Sequence, residues 1–172
     1  MERNSKELDK RTEYIRGEQP SGGQMSADPI YRKALRLCLS EGRMSYRRMA
    51  SELRVSTTTV ASHIAKLERE GVIRGFSAMV DYQKLGYELT VVTEILVSKG
   101  KLLETDREIA KLPGVCAVYD TTGETDGIII AKFKNRDELS HFTKGLLALP
   151  YVERTNTHVV LTTVKEDFRL AV

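Results

Sequence analysis

Tryptophan is absent from this chain and cysteine nearly so, with only Cys38 and Cys116. They lie far apart inside apolar patterns, with no second Cys or close His at metal-ligand spacing, which argues against a disulfide framework or a metal site and for two small core residues. The three histidines, His63, His141 and His158, fall on different expected elements. No apolar run approaches the roughly 20 residues a membrane helix needs, and MERNSKELDKRTEYIRGE is charged throughout, without the apolar middle of a signal peptide. The expectation is a cytoplasmic protein with no membrane partner, metal or cofactor. A phosphate-binding glycine loop and a nucleophile-elbow motif are also missing, so a catalytic reading has no motif to rest on.

What is present is concentrated in SYRRMASELRVSTTTVASHIAKLEREGVIR, from Ser45 to Arg74. Met49, Ala50 and Leu53, then Val60, Ile64 and Leu67, recur at helical spacing and predict two short amphipathic helices joined by a tight turn. Ser56 caps the second, which spans Ser56 to Glu70 and opens with Thr57, Thr58 and Thr59. In a helix-turn-helix this helix start enters the DNA major groove, where short hydroxyls reach base edges or phosphates. Equally, such a run is a plain helix cap, and the apolar residues would pack in any small core.

Charge separates these readings. Residues 28–75 hold ten basic and five acidic residues, a balance of +5, whereas residues 76–172 come to −2 and residues 1–27 to zero. The positive excess coincides with the helix-turn-helix, as phosphate attraction requires. Candidate DNA contacts are Arg43, Arg47, Arg48, Arg54, Ser56, Thr57, Thr58, Thr59, Ser62, His63 and Lys66.

Residues 1–27 are polar and end in a Pro/Ser/Gly stretch, read as a flexible tail. Asp28 caps a first helix with Pro29 at its opening position, and its apolar face runs from Ile30 to Cys38. Gly71 ends the third helix. Together these make a three-helix DNA-binding domain over residues 28–75.

Leu53-Arg54-Val55-Ser56, followed by Val60, Ile64, Leu67-Glu68 and Gly71-Val72-Ile73, resembles the helix-turn-helix signature of the leucine-responsive regulatory protein/asparagine synthetase regulator (Lrp/AsnC) family, in its archaeal form. His63 departs from it, standing where the family most often has Arg. The resemblance implies a hinge at residues 76–87, read from the residues as a strand followed by a loop, that also pairs between subunits. Asp81 and Tyr82 there read equally as turn and packing residues.

Residues 88–172 contain a repeat. Leu112-Pro113-Gly114-Val115 returns as Leu149-Pro150-Tyr151-Val152 after 37 residues, and the same shift lays Leu102 and Ile109 on Leu139 and Leu146. Strands are expected at Leu89–Val97, Val115–Thr122, Gly127–Phe133 and Glu153–Val164, with helices at Leu102–Leu112 and Arg136–Leu149. The whole is an α+β chain, a helix-turn-helix domain followed by a ferredoxin-like βαββαβ sandwich. Runs such as Ile128–Ala131 and Val159–Leu161 are apolar on both faces, although helices cover only one. The second face is therefore expected to be buried against another copy, giving a homodimer.

Thr121 to Gly127 reads by itself as a hairpin turn. The resemblance implies an oligomerising, effector-sensing domain in which Gly123 and Asp126 bind an amino acid between dimers, with Thr155 and Thr157 lining the site, though those threonines are also good strand formers. The expected function is a sequence-specific, nucleoid-associated transcriptional regulator that binds double-stranded DNA, answers to an amino acid and assembles beyond the dimer. A DNA-packaging protein without effector, or an amino-acid-metabolising enzyme, are the alternatives.

Overall fold

The computed structural model describes residues 28–172 other than 99 and 171; the tail reading of residues 1–27 lies outside them. Two compact units divide the chain between Val80 and Asp81, and Lys165–Val172 group with the first.

The first unit holds three helices, α1 Pro29–Ser40, α2 Tyr46–Leu53 and α3 Thr57–Arg69. Each begins where a short polar side chain satisfies an orphan backbone donor. Asp28 Oδ1 accepts from Ile30 N at 2.8 Å, Ser45 Oγ from Arg48 N at 3.3 Å and Ser56 Oγ from Thr59 N at 3.0 Å. The turn between α2 and α3 rests on Arg54, whose left-handed backbone (φ 56°) lets both Arg54 and Val55 return N–H bonds to Ala50 O. A non-glycine residue there costs about 1–2 kcal/mol, which the packing on either side offsets. Gly71 (φ 70°) ends α3, and Ile73 N bonds back to Leu67 O at 3.0 Å, so the chain reverses and Ile73 enters the core. That core joins Tyr31 and Leu35 of α1, Met49 of α2, and Ile64 and Leu67 of α3, with Met44 from the loop between α1 and α2.

Phe76–Val80, expected as a strand, has no regular structure, because no segment among the described residues lies beside it to form a ladder. Phe76, Met79 and Val80 are exposed.

The second unit opens with a 3₁₀ turn, Gln83–Leu85, capped by Asp81 Oδ1 at 3.0 Å from Gln83 N. It continues as β1 Leu89–Val97, α4 Leu102–Ile109, β2 Val115–Asp120, β3 Gly127–Phe133, α5 Arg136–Ala148 and β4 Val152–Val159. The antiparallel sheet has the order β2-β3-β1-β4, the βαββαβ arrangement the repeat predicts. At both Leu-Pro sites the helix ends in the same turn: Val115 N bonds Leu112 O and Val152 N bonds Leu149 O. Asn135 caps α5, accepting from Glu138 N at 2.9 Å, and Glu138 reaches back to Lys134 N at 2.8 Å.

Strand β4 stops at Val159 rather than Val164. Its partner β1 begins at Leu89, and the bond from Val160 N to Thr90 O is the last rung available. Leu161 is accordingly 95% exposed.

Val91, Ile95, Ile129, Ala131 and Phe133 face the helices and are buried with Ile109, Phe142 and Leu146. The opposite sheet face carries Val92, Leu96, Ile128 and Ile130, half-buried and uncovered by any helix among the described residues, with Tyr119 44% exposed beside them.

Candidate nucleic-acid interface and effector loop

The amphipathic spacing of α3 divides its polar residues into two sets. Val60, Ile64 and Leu67 are fully buried, so the face at 58, 62, 65 and 69 points away from the core. Thr57, Thr58, Ser62 and Arg69 are exposed there. Ser56 and Thr59 belong to the cap, their hydroxyl oxygens 2.8 Å apart.

His63 and Lys66 lie on a third side, against α1. The His63 ring meets Tyr31 edge-on at 6.3 Å, with Nε2 3.5 Å from Asp28 Oδ2. Lys66 Nζ stands 5.3 Å from the centre of the Tyr31 ring and 3.8 Å from Glu70 Oε1. Tyr31 donates its hydroxyl to Glu70 Oε2 at 2.5 Å, and burial, with that bond and the Glu70 charge, pushes it up to about 12. This cluster docks α1 on α3. The spacing 63, 66, 70 at i, i+3, i+7 could have placed the pair with Tyr31 rather than with the exposed stripe.

Among the arginines, Arg48 is engaged by Glu41 at 2.7 Å and Glu52 at 3.3 Å. Arg43, Arg47, Arg54 and Arg69 are exposed and make no ion pair among the described residues. Arg69 was not among the sequence candidates, although 58, 62 and 69 share one helical face.

At one end of the sheet, the loop between β2 and β3 is closed by Thr121 N bonding Asp126 O at 2.9 Å and Thr121 Oγ1 donating to Thr125 O at 3.1 Å. Gly123, at φ 125°, stands at the loop tip with open space where a side chain would be. Asp126 is tied to β1: its N–H bonds Ile95 O at 3.0 Å and its Oδ2 accepts from Val97 N at 2.8 Å. Thr155 lies opposite Ile95 in the β1–β4 ladder. Asp126 and Thr155 thus flank the same end of β1, one on each side. Thr157 Oγ1 pairs at 3.0 Å with the buried Thr93 Oγ1, inside the helix-covered layer.

Sequence reasoning missed Asp106. It sits on the inner face of α4, 9% exposed, and its Oδ1 has no hydrogen-bond partner among the described residues. Burial, followed by the charges of Asp120 and Asp126, pushes it up to about 6. A carboxylate in a helix that packs on a sheet gives no sequence signal of its own; only the fold brings it to the end of β2.

A profile of winged helix-turn-helix DNA-binding domains matches residues 28–74, and one of Lrp/AsnC ligand-binding domains matches residues 90–170. An uncharacterised HTH-type transcriptional regulator of Pyrococcus abyssi is 48% identical over 143 residues, covering 83% of this chain and 97% of that protein. The chain belongs to the Lrp/AsnC family of transcriptional regulators.

Solved Lrp/AsnC relatives share the fold. The regulator NMB0573 of Neisseria meningitidis, solved with L-methionine, superposes with TM-score 0.76 at 23% identity over 85% of this chain and 97% of that one. AsnC of E. coli gives TM-score 0.75 at 23% identity over 83% of this chain and 97% of that one. The DNA-binding profile and the 48% identical Pyrococcus protein are those of a transcriptional regulator rather than an enzyme, so the enzyme alternative falls away. In this regulator the two matched profiles coincide with the helix-turn-helix and the sheet.

Proposed function

We propose that this Lrp/AsnC regulator reads a specific DNA sequence as a homodimer, assembles into higher oligomers, and answers to an amino acid held at the β2–β3 loop. The observation that carries the reading is the exposed α3 face, where Thr57, Thr58, Ser62 and Arg69 stand free of the core while Arg43, Arg47 and Arg54 supply unpaired positive charge. Hydroxyls at a helix start suit base edges, and arginines outside ion pairs suit phosphates. His63 and Lys66 are assigned to helix docking instead.

Dimerisation is supported by the uncovered apolar sheet face around Val92, Leu96, Ile128 and Ile130, which alternation with polar residues would otherwise have kept wet. An amino-acid effector is supported by the ligand-binding profile and by the L-methionine complex of the Neisseria relative. Gly123, Asp126 and Thr155 are the residues assigned to it, with Thr157 supporting the layer beneath. The DNA-binding profile supports a cytoplasmic, nucleoid-associated protein.

Footprinting on the protein's own promoter, with and without a panel of amino acids, tests this. A discrete protected site that changes with one amino acid is the expected result. Sequence-blind coating without any amino-acid response would instead identify a packaging protein.

A further inference from the structure

A cavity of about 660 Å³ opens in the sheet unit between the α4–β2 turn, the end of β3 and the start of α5. That volume falls within the roughly 300–1,000 Å³ of small-molecule sites. Leu112, Phe133 and Phe142 give it an apolar lining, the two phenylalanine rings tilted against each other with centroids 5.0 Å apart. Its polar lining includes Lys134, whose Nζ stands 5.5 Å from the centre of the Tyr87 ring, and the exposed Asp137. The β2–β3 loop lies at the other end of β3, roughly 20 Å away along a strand from Gly127 to Phe133.

Gly145 lines this cavity from inside α5. Glycine is the worst helix former after proline, so its place in a helix interior needs a reason. Packing does not supply one, because a Cβ at Gly145 meets no atom within 4 Å. Nor does the repeat: the 37-residue shift lays Gly145 on Glu108, a helical residue of α4. What the missing side chain does is keep the cavity wall open, and that space serves only a molecule that enters it.

Charges of both signs in the lining decide the head group. A simple anion would meet Asp137 and a simple cation Lys134, whereas a zwitterion pairs its carboxylate with Lys134 and its ammonium with Asp137. Glu138 is already engaged, its Oε2 accepting from Lys134 N at 2.8 Å. The body is decided by Phe133 and Phe142, which favour a ring packed edge-on or offset against them. We propose that this cavity binds an aromatic amino acid, at a site within each subunit that is separate from the effector loop.

The chain has no tryptophan, so the emission of L-tryptophan reports its own binding. The test is titration of the full-length protein with L-tryptophan, followed by that emission and by calorimetry. L-leucine, which has the head without the ring, and indole, which has the ring without the head, are titrated alongside. The expected result is that L-tryptophan binds at least about tenfold more tightly than either. Gly145→Leu, which fills the cavity, should weaken that binding at least about tenfold while its unfolding temperature stays at or above that of the wild type, since a better helix former enters open space. Affinity lost with stability kept cannot come from misfolding. If Gly145→Leu does not fold, Lys134→Gln decides the matter: a several-fold loss supports the site and an unchanged affinity overturns it. No binding of L-tryptophan to the wild type, or unchanged binding to a folded Gly145→Leu, overturns the proposal. Leucine or indole binding as tightly as L-tryptophan overturns the class of ligand. The effector reading at the β2–β3 loop stands or falls separately, on the promoter footprint.

Discussion

Both units of this protein carry polar groups without partners, but in opposite settings. In the helix-turn-helix unit the unpartnered groups are arginines and hydroxyls on the surface, where water satisfies them and leaving them free costs almost nothing. In the sheet unit the buried side-chain atom without a partner among the described residues is Asp106 Oδ1, which is sealed from solvent. A free surface arginine says little by itself, and its meaning here comes from the helix face it shares. A free buried carboxylate says more per atom, because the fold bears its desolvation. The two units also differ in how their candidate residues divide. On α3 one set is free and another docks α1, whereas at the β2–β3 loop the hydrogen bonds of Asp126 to Ile95, Val97 and Thr121 close the fold.

The sharpest way to separate the units is through their cores. Ile64 and Leu146 are each fully buried in a different cluster. Truncation of such a side chain costs roughly 2–5 kcal/mol. Ile64→Ala should therefore lower the unfolding temperature of the helical unit and abolish DNA binding, while near-native hydrogen-exchange protection persists in β1 and β3. Leu146→Ala should do the reverse. Equal loss of protection throughout the chain in either variant would show that the units unfold together.

Asp106 gives the second comparison, now with pH. Its carboxyl ordinarily titrates near 3.8 and is pushed to about 6 in the fold. Below the lower value it is protonated in both folded and unfolded chains and the shift costs nothing. As pH rises towards 6 the unfolded chain has released the proton and the folded one still holds it, so stability from this group is progressively lost. Above 6 the loss is complete, of the order of 3 kcal/mol. Asp106→Asn should thus match the wild type near pH 4 and exceed its stability by up to that amount at pH 7 to 8, in ligand-free protein. Urea unfolding at the two pH values reads it directly. A variant less stable than wild type at pH 8 would mean that the carboxylate has a partner in the fold.

How far the sequence carried follows the same division. Capping residues at Asp28 and Ser56 and the Leu-Pro repeat were legible because local chemistry sets them, and they placed two of the helix starts and the strand order. Strand ends were less so: β4 reads as continuing to Val164 by propensity, but a strand needs a rung, and β1 supplies none beyond Thr90. The extended apolar segment Phe76–Val80 failed for the same reason. At the sites, charge type was legible but its direction was not. His63 and Lys66 look like DNA contacts in a list of polar α3 residues, and only the position of Tyr31 shows which way they face. Asp106 was invisible because its neighbours come from other segments.

On α3 the exposed hydroxyls provide the next test. Thr58→Ala and Ser62→Ala should each lower discrimination between the operator and unrelated DNA by roughly 1–3 kcal/mol, with little effect on nonspecific affinity. Competition titration with both DNAs measures this. Equal loss on specific and nonspecific DNA would mean that this face meets the backbone instead of the bases.

The smallest expected effect is the one that distinguishes the two basic residue classes of the first unit. Arg47 is exposed with no ion pair among the described residues, whereas Lys66 is half-buried over Tyr31 and within 3.8 Å of Glu70. If only the former meets phosphate, Arg47→Ala removes one counterion-releasing contact, lowering affinity for every sequence alike and reducing the slope of log affinity against log salt by about 1. Lys66→Ala should leave that slope where it is. Its consequence is instead a loss of stability within about 1 kcal/mol, the range for a solvent-accessible pair with a modest cation–π contribution. Titrations of the two variants against one operator at several salt concentrations compare them without needing absolute affinities. A slope reduced as much by Lys66→Ala as by Arg47→Ala would return Lys66 to the DNA interface and leave the docking of α1 on α3 to Tyr31, His63 and Glu70.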